Sequence, residues 1–281
     1  MIAPETRMGP VHLTVSDLGR SLGFYRSALG LDVLDEDGGR AVLGAGKTEL
    51  LVLHEQPGAP PAGGHTGLFH FALLLPDRVS LARFLAHAAR ERVPLQGLSD
   101  HDVSEAIYLG DPDRHGIEVY AARPRERWEG QVMQRMTTLP LDTQSLLGEL
   151  DDPQSEPFDG LPDGTTMGHV HLRVADIPAT LEFYRDLLGF ELMAEYGEQA
   201  AFLAAGGYHH HLGANTWESL GAPPPPPGSA ALRHATIVLP GRPDRDRLLA
   251  LVEEAGREVE ETEDGPLVRD PSGNGLVLVA G

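Results

Sequence analysis

The chain has 281 residues, 41% of them hydrophobic, and a formal charge of −20 from 42 acidic and 22 basic side chains. This negative charge disfavours binding to nucleic acid or to an anionic membrane, because phosphate groups would be repelled. The chain has no cysteine, which excludes disulfides and thiolate metal sites, so any metal must be bound by nitrogen and oxygen. No apolar export signal or membrane-length segment is seen, and we predict a cytoplasmic protein.

A long internal repeat organises the chain. The segment VHLTVSDLGRSLGFYRSALGL, which begins at Val11, is matched almost residue for residue by VHLRVADIPATLEFYRDLLGF from Val170, so the protein contains a duplication. In each copy, alternating apolar residues predict a half-buried strand, and apolar positions at helical spacing predict an amphipathic helix after it. The predicted helix caps and stops are Asp17 and Gly30 in the first copy, and Asp176 and Gly189 in the second.

Two weaker copies follow the same order of strand, helix and strands. One contains FHFALLLPD, a predicted helix over 80–91 and IYLGDPDRHGIEVY; the other contains RHATIVLPG, a predicted helix over 246–255 and LVRDPSGNGLVLV. The sequence therefore predicts an α+β protein of four βαβββ modules. Because a lone module exposes one apolar sheet face, we expect module one to pair with two, and three with four. The predicted organisation is a first domain over 8–123, a linker over 124–165 and a second domain over 166–281.

The segment over 17–30, its copy over 176–189 and the closing DPDRHGIEVY resemble the vicinal oxygen chelate superfamily, which includes glyoxalase I, fosfomycin-resistance proteins and extradiol dioxygenases. GLFHFALLLPD, SEAIYLGDPDRHGIEVYAARPRERW and GGYHHHLGANTW are most similar to two-domain bacterial catechol 2,3-dioxygenases. The resemblance implies the curved mixed sheets of the glyoxalase/dioxygenase fold. It also implies Fe(II)-dependent cleavage of an aromatic ring beside vicinal hydroxyls, with a small aromatic substrate and dioxygen as partners in aromatic catabolism.

The resemblance also implies metal ligands on the opening strands and last strand of a module pair. In the first half, His12 and His70 lie on the opening strands of modules one and two, and Glu118 lies in the last strand of module two. Two histidines and one carboxylate suit non-haem Fe(II) or Mn(II) and leave positions open for substrate and dioxygen. The usual first ligand position of the family falls at Pro10, two residues before His12. The first predicted ligand set is His12, His70 and Glu118.

The second half concentrates histidine. His169 and His234 match the two histidine ligand positions of the family, but Val277 occupies the position of Glu118, so the third ligand would be His209, His211 or water. Three consecutive histidines at 209–211 lie in a predicted strand of module three, and the resemblance makes His209 or His210 the candidate for proton transfer. The second predicted ligand set is His169, His211 and His234.

Three functions stay open from the sequence. The first is the Fe(II)-dependent ring-cleaving dioxygenase. The second is another metal-dependent lyase, isomerase or transferase of the superfamily, for which Mn(II), Zn(II) or Ni(II) would serve. The third is a non-catalytic protein that binds a small aromatic molecule. Association into a homo-oligomer through sheet edges or helices also stays open. Aromatic and amide side chains that could line a pocket are Tyr108, Tyr120, Tyr208, Asn215 and Trp217.

Overall fold

The computed structural model describes residues 1–281 and contains the four expected βαβββ modules, which confirms the predicted α+β class. Module one consists of β1 (Arg7–Val15), α1 (Leu18–Phe24, continued by a π-helical turn, Tyr25–Leu29), β2 (Asp32–Asp37), β3 (Arg40–Ala45) and β4 (Thr48–Glu55). Module two consists of β5 (Gly67–Leu75), α2 (Arg78–Arg90), β6 (Leu95–Asp100), β7 (Ser104–Gly110) and β8 (Gly116–Ala122).

The segment between modules two and three, over 124–165, is packed against the protein rather than free. Trp128 and Met136 are buried in a small apolar cluster with Phe202 of module three, and Leu146 is buried in the main core. Pro140 pairs with Ser99 at the edge of a sheet. The elements of this connector are a 3₁₀ turn (Arg125–Arg127), α3 (Val132–Arg135), β9 (Leu139–Pro140) and α4 (Thr143–Leu147).

The second half of the chain repeats the architecture of the first. Module three consists of β10 (Thr166–Arg173), α5 (Ile177–Leu181, continued by a π-helical turn, Glu182–Leu187), β11 (Glu191–Tyr196), β12 (Ala200–Ala204) and β13 (Leu212–Asn215). Module four consists of β14 (Leu232–Leu239), α6 (Arg242–Glu254), β15 (Val259–Thr262), β16 (Gly265–Arg269) and β17 (Gly275–Ala280).

The ends of the repeated helices follow the expected local chemistry. The Asp17 carboxylate accepts a hydrogen bond from the Arg20 backbone N–H, and Asp176 does the same for Ala179, which satisfies donors that the first helical turn leaves free. Gly30 then adopts the left-handed conformation, with φ of 75°, that terminates the first helix. None of the helices combines the length and the apolar character that crossing a bilayer would require.

The strands form two mixed sheets, but the expected pairing of modules is wrong. Modules one and four build an eight-stranded sheet, here the terminal sheet, in the order β15-β16-β17-β14-β1-β4-β3-β2. Modules three and two build a nine-stranded sheet, here the central sheet, in the order β11-β12-β13-β10-β5-β8-β7-β6-β9. The antiparallel contacts that join the modules are β1 with β14 and β10 with β5.

The physical reason for the wrong pairing is that the opening strands of the four modules have similar apolar faces and equivalent backbone hydrogen-bonding edges. Either pairing satisfies the same backbone hydrogen bonds and buries the same alternating face, so the strand pattern of each module does not specify its partner. Each sheet therefore contains strands from both predicted domains, 8–123 and 166–281. As a consequence, any site at the centre of a sheet combines residues from both halves of the chain.

The turn before the last strand of modules two and four links the two sheets. Asp113 accepts hydrogen bonds from the Ser16 N–H at 2.8 Å, the Ser16 hydroxyl at 2.6 Å and the Arg20 guanidinium at 2.6 Å. In the corresponding turn, the Ser272 hydroxyl accepts a single bond from the Ala175 N–H at 2.9 Å. One continuous apolar core contains residues of all four modules, so the two sheets form a single packed unit.

Candidate metal centre

Three ligand-type side chains converge at the middle of the central sheet. His70 on β5, Glu118 on β8 and His169 on β10 are all buried. His70 Nε2 and His169 Nε2 each lie 3.1 Å from Glu118 Oε2, and the two nitrogens lie 3.2 Å from each other. The register explains the convergence, because both Glu118 and His169 pair with Ala72, and alternation places Ala72 on the same face as His70.

This spacing fits a single divalent cation. Adjacent ligand atoms in octahedral coordination, with bonds of about 2.1 Å, are about 3.0 Å apart, close to all three distances at His70, Glu118 and His169. His169 Nδ1 is buried and has no hydrogen-bond partner. Two imidazoles and one carboxylate on one side of an ion form the donor set that suits Fe(II) or Mn(II) and leaves further positions open.

Electrostatics favours the ligand forms of these groups. Burial alone would raise the pKa of the Glu118 carboxyl, but the interactions with His169 and His70 outweigh it and hold that pKa well below its usual value. Burial lowers the pKa of His70, although Glu118 opposes this effect. At neutral pH the carboxylate is therefore ionised and the imidazole of His70 is neutral, as metal coordination requires.

A cavity of about 370 Å³ opens beside this cluster, within the size range of small-molecule sites. His70 and Glu118 line it, and residues of the connector, Met136 and Thr138, form part of its wall. Most of the remaining wall is aromatic or imidazole: Phe69, His101, Tyr108, His171, Tyr196, Phe202, His210 and Trp217.

Polar groups inside the cavity are held in a short chain of contacts. His101 Nε2 lies 2.7 Å from the Tyr108 hydroxyl, and His101 Nδ1 lies 2.6 Å from the Thr137 carbonyl oxygen. Burial and the charge of Glu118 raise the pKa of Tyr108 well above its ordinary value, so the phenol stays protonated. The cavity thus presents a phenol and an imidazole beside the ligand cluster.

The three consecutive histidines at 209–211 lie in a loop between β12 and β13, not in the expected strand. Gly206 and Gly207, both at positive φ, break the strand before them. His210 lines the cavity, and its ring centroid is 4.0 Å from that of His169. His209 is fully buried, with its Nδ1 2.9 Å from His210 Nδ1. His210 therefore faces the cavity, whereas His209 contacts His210 from the protein interior.

Neither predicted ligand set assembles as a unit. His70 and Glu118 of the first set meet His169 of the second, while His12 and His234 meet each other in the terminal sheet, next to Asp264. This exchange follows from the corrected pairing of modules, because His12 and His70 belong to different sheets.

His211 belongs to neither cluster, since its Nδ1 accepts a hydrogen bond from the Ala205 N–H at 3.1 Å. Among the aromatic candidates for a pocket, Tyr108 and Trp217 line the cavity. Tyr120 and Tyr208 lie behind it, with their hydroxyl oxygens 2.7 Å apart, and Asn215 is fully buried in β13.

Sequence reasoning missed three polar residues at these clusters. His101 lies in the turn between β6 and β7, and Asp264 lies in the corresponding turn between β15 and β16. His54, near the end of β4, has its Nε2 3.3 Å from His12 Nδ1. The one signal available for His101 and Asp264 was that both occupy the same turn of the repeated module.

The model of the Glyoxalase/Bleomycin resistance protein/Dioxygenase superfamily matches residues 7–119 and 166–278. A catechol-2,3-dioxygenase of Bacillus subtilis (strain 168) is 43% identical over 278 residues, which cover 96% of this chain and 95% of that protein.

Among solved structures, glyoxalase I from Zea mays is similar at a TM-score of 0.60 and 18% identity, over 98% of this chain and 92% of its own. The cppA protein from Streptococcus pneumoniae TIGR4 is similar at a TM-score of 0.55 and 16% identity, over 98% of this chain and 97% of its own. These likenesses support the fold, and the sequence matches cover both halves of the chain. The chain belongs to the glyoxalase/bleomycin resistance protein/dioxygenase superfamily.

Proposed function

We propose that this protein is an Fe(II)-dependent extradiol dioxygenase that cleaves a catechol-like aromatic ring. The observation that carries the proposal is the convergence of His70, Glu118 and His169 within 3.2 Å beside an aromatic-lined cavity. The 43% identity to a catechol-2,3-dioxygenase supports the same reaction class. Fe(II), when bound, would supply neighbouring coordination positions for both catechol oxygens and dioxygen, and electron transfer between them.

The aromatic wall would orient the substrate ring. Phe69 and Trp217 meet edge to face, with ring centroids 5.4 Å apart, so they offer a preformed apolar surface for a flat molecule. No lysine, arginine or second carboxylate lines the cavity. The cavity therefore favours a substrate whose polar oxygens point at His70 and Glu118. Exclusion of water by this wall would protect the reacting oxygens from solvent.

His210 is the proposed acid/base. Burial and the neighbouring histidines lower its pKa well below the ordinary value, so the ring is neutral and able to accept a proton from a catechol hydroxyl. The negative charge left on the substrate would then stabilise the protonated imidazole. Tyr108, which stays protonated, has its hydroxyl 2.7 Å from His101 Nε2. When substrate binds, this O–H would turn from His101 to donate a hydrogen bond to a substrate oxygen.

The test is oxygen uptake with catechol after anaerobic loading with Fe(II). We expect oxygen consumption and a yellow ring-cleavage product from the wild type, and a loss of kcat of about a hundredfold in His210→Asn with iron content unchanged. His65→Gln is the matched control, since His65 lies in a loop outside both histidine clusters, and it should keep full activity.

Three results would contradict the proposal. Turnover of a substrate under nitrogen with Zn(II) or Ni(II) would instead indicate a lyase or isomerase of the same family. Tight binding of an aromatic molecule to metal-free protein, without turnover in the presence of iron, would indicate a binding protein. Full activity in His210→Asn would show that His210 is not the acid/base.

A further inference from the structure

The terminal sheet has its own cluster of ligand-type side chains. His12 on β1 and His234 on β14 are directly paired across the two strands, and their ring centroids are 4.0 Å apart. Asp264 Oδ2 lies 3.5 Å from His12 Nδ1 and 3.6 Å from His234 Nε2. The three groups come from modules one and four, so this cluster shares no residue with His70, Glu118 and His169.

This cluster is displaced along the strand relative to the one in the central sheet. The positions that correspond to His169 and Glu118 are Pro10 and Val277, which cannot bind a metal. His12 instead corresponds to His171, two residues further along, or about 7 Å. The ligand-type groups therefore form a different arrangement at the same end of a duplicated scaffold, completed by the turn residue Asp264.

The cluster contains a buried polar atom without a hydrogen-bond partner. His234 Nε2 is buried and makes no hydrogen bond, although a buried polar nitrogen without a partner is costly. His12 Nδ1 faces His54 Nε2 at 3.3 Å and the Asp264 carboxylate at 3.5 Å. A cation between His12, His234 and Asp264 would supply the missing partner of His234 Nε2.

The protonation states suit coordination. Burial and the neighbouring His234 and His54 lower the pKa of His12 to about 2, and burial lowers the pKa of both His54 and His234 to about 4. All three imidazoles are therefore neutral at pH 7 and offer lone pairs. Arg40 and Arg233 contribute to the low pKa values of His12 and His54, and Asp264 supplies one negative charge toward a bound cation.

We propose that His12, His234 and Asp264 form a second divalent-cation site, of the Zn(II) class, that ties module one to module four. In tetrahedral coordination with bonds of about 2.05 Å, ligand atoms are about 3.4 Å apart, which matches the spacings of 3.5 and 3.6 Å. The Asp264 side chain is 26% exposed, so an ion can enter from solvent. The proposal does not depend on the dioxygenase activity.

The test is the metal stoichiometry of protein loaded with iron and then equilibrated with Zn(II), or with Co(II) for its visible absorption. We expect one further equivalent of metal per chain, a tetrahedral Co(II) spectrum and a higher Tm. Asp264→Asn should weaken uptake of this equivalent by more than about tenfold while iron content and oxygen uptake with catechol stay at the wild-type level. Glu263→Gln, the same change at the exposed neighbour, is the matched control.

A variant of the central cluster allows this proposal to be tested separately from the proposed function. In Glu118→Gln, which removes a ligand of the central cluster, the terminal site should still take up one equivalent of Zn(II) whether or not the protein is a dioxygenase. His234→Gln removes a second proposed ligand, on a different strand from the turn that contains Asp264. It should also lose the second equivalent of metal. The proposal is overturned if wild type binds no second metal, if Glu118→Gln binds none, or if Asp264→Asn and His234→Gln both bind as wild type does.

Discussion

The central and terminal sheets share one ancestry in sequence but differ at their centres. The central sheet has His70, His169 and Glu118 beside a cavity. At the matching positions the terminal sheet keeps His234 but has Pro10 and Val277. The backbone architecture is the same in both. A duplicated scaffold can therefore change its ligand set freely, because the fold depends on the apolar faces and ladder hydrogen bonds and not on the polar groups at its centre.

The connector adds to this difference. Met136 and Thr138 form part of the cavity wall of the central sheet, and β9 extends that sheet by one short strand. The terminal sheet has no counterpart of β9. The cavity thus depends on a part of the chain outside the repeat, which the duplication alone would not supply.

The largest expected effect comes from removing one histidine in each sheet. His169→Ala should lower kcat/KM with catechol by about a thousandfold or more, equivalent to about 4 kcal/mol, because the central cluster loses a ligand. His234→Ala should leave iron content and kcat/KM at the wild-type level. Iron analysis and oxygen uptake on the two variants measure this, and equal losses in both would show that the sheets do not divide the roles as described.

The next largest effect is on stability, at the two turns that link the sheets through Asp113 and Ser272. Asp113→Asn removes the charge from a side chain that is 4% exposed and accepts three hydrogen bonds, and it should lower the free energy of unfolding by about 2 kcal/mol at pH 7. Ser272→Ala loses the single bond from Ala175 and should cost about 1 kcal/mol. Urea denaturation compares the two variants.

The effect of Asp113→Asn should depend on pH. Burial would raise the pKa of Asp113, but the hydrogen bonds from Ser16 and the charge of Arg20 lower it overall. A carboxyl whose folded pKa is depressed stabilises the fold above its unfolded pKa of about 3.9 and loses that contribution as the pH falls through the folded value. The difference between wild type and variant should therefore be constant from pH 5 to pH 8 and shrink below about pH 4. A constant difference down to pH 2 would contradict the charge-based explanation.

The smallest expected effect is at the cavity phenol. Tyr108 corresponds to Leu267 in the terminal sheet, so Tyr108→Phe makes the two sheets more alike. It should lower kcat by about tenfold and leave iron content unchanged, because the ring stays in place. The lost hydrogen bond to His101 should lower Tm slightly. A change in KM alone, with kcat preserved, would show that the hydroxyl binds substrate equally in the ground and transition states.

Local features were predictable because each depends on neighbours in sequence. The aspartate caps, the glycine stop at Gly30 and the four modules follow from spacing and residue type, and the structure has all of them. The prediction of a strand at 209–211 was wrong, although the consecutive glycines Gly206 and Gly207 indicate a turn just before it.

The candidate sites were predictable only in part. His70, Glu118 and His169 were all singled out, but they were assigned to two different sets, and His101, His54 and Asp264 were missed. Turn residues such as His101 and Asp264 approach a sheet centre only after the strands are paired. No periodicity in the sequence marks which turn residues will do so.

The sequence by itself determined the duplication, the order of elements within each module and the residue types available for a metal. Only the tertiary structure decided that module one joins four and module two joins three, and hence which histidines meet. The physical reason is that local structure depends on side-chain spacing along the chain, whereas the four opening strands offer nearly equivalent edges. The choice between such edges depends on the packing of the whole molecule, including the connector that covers the central sheet.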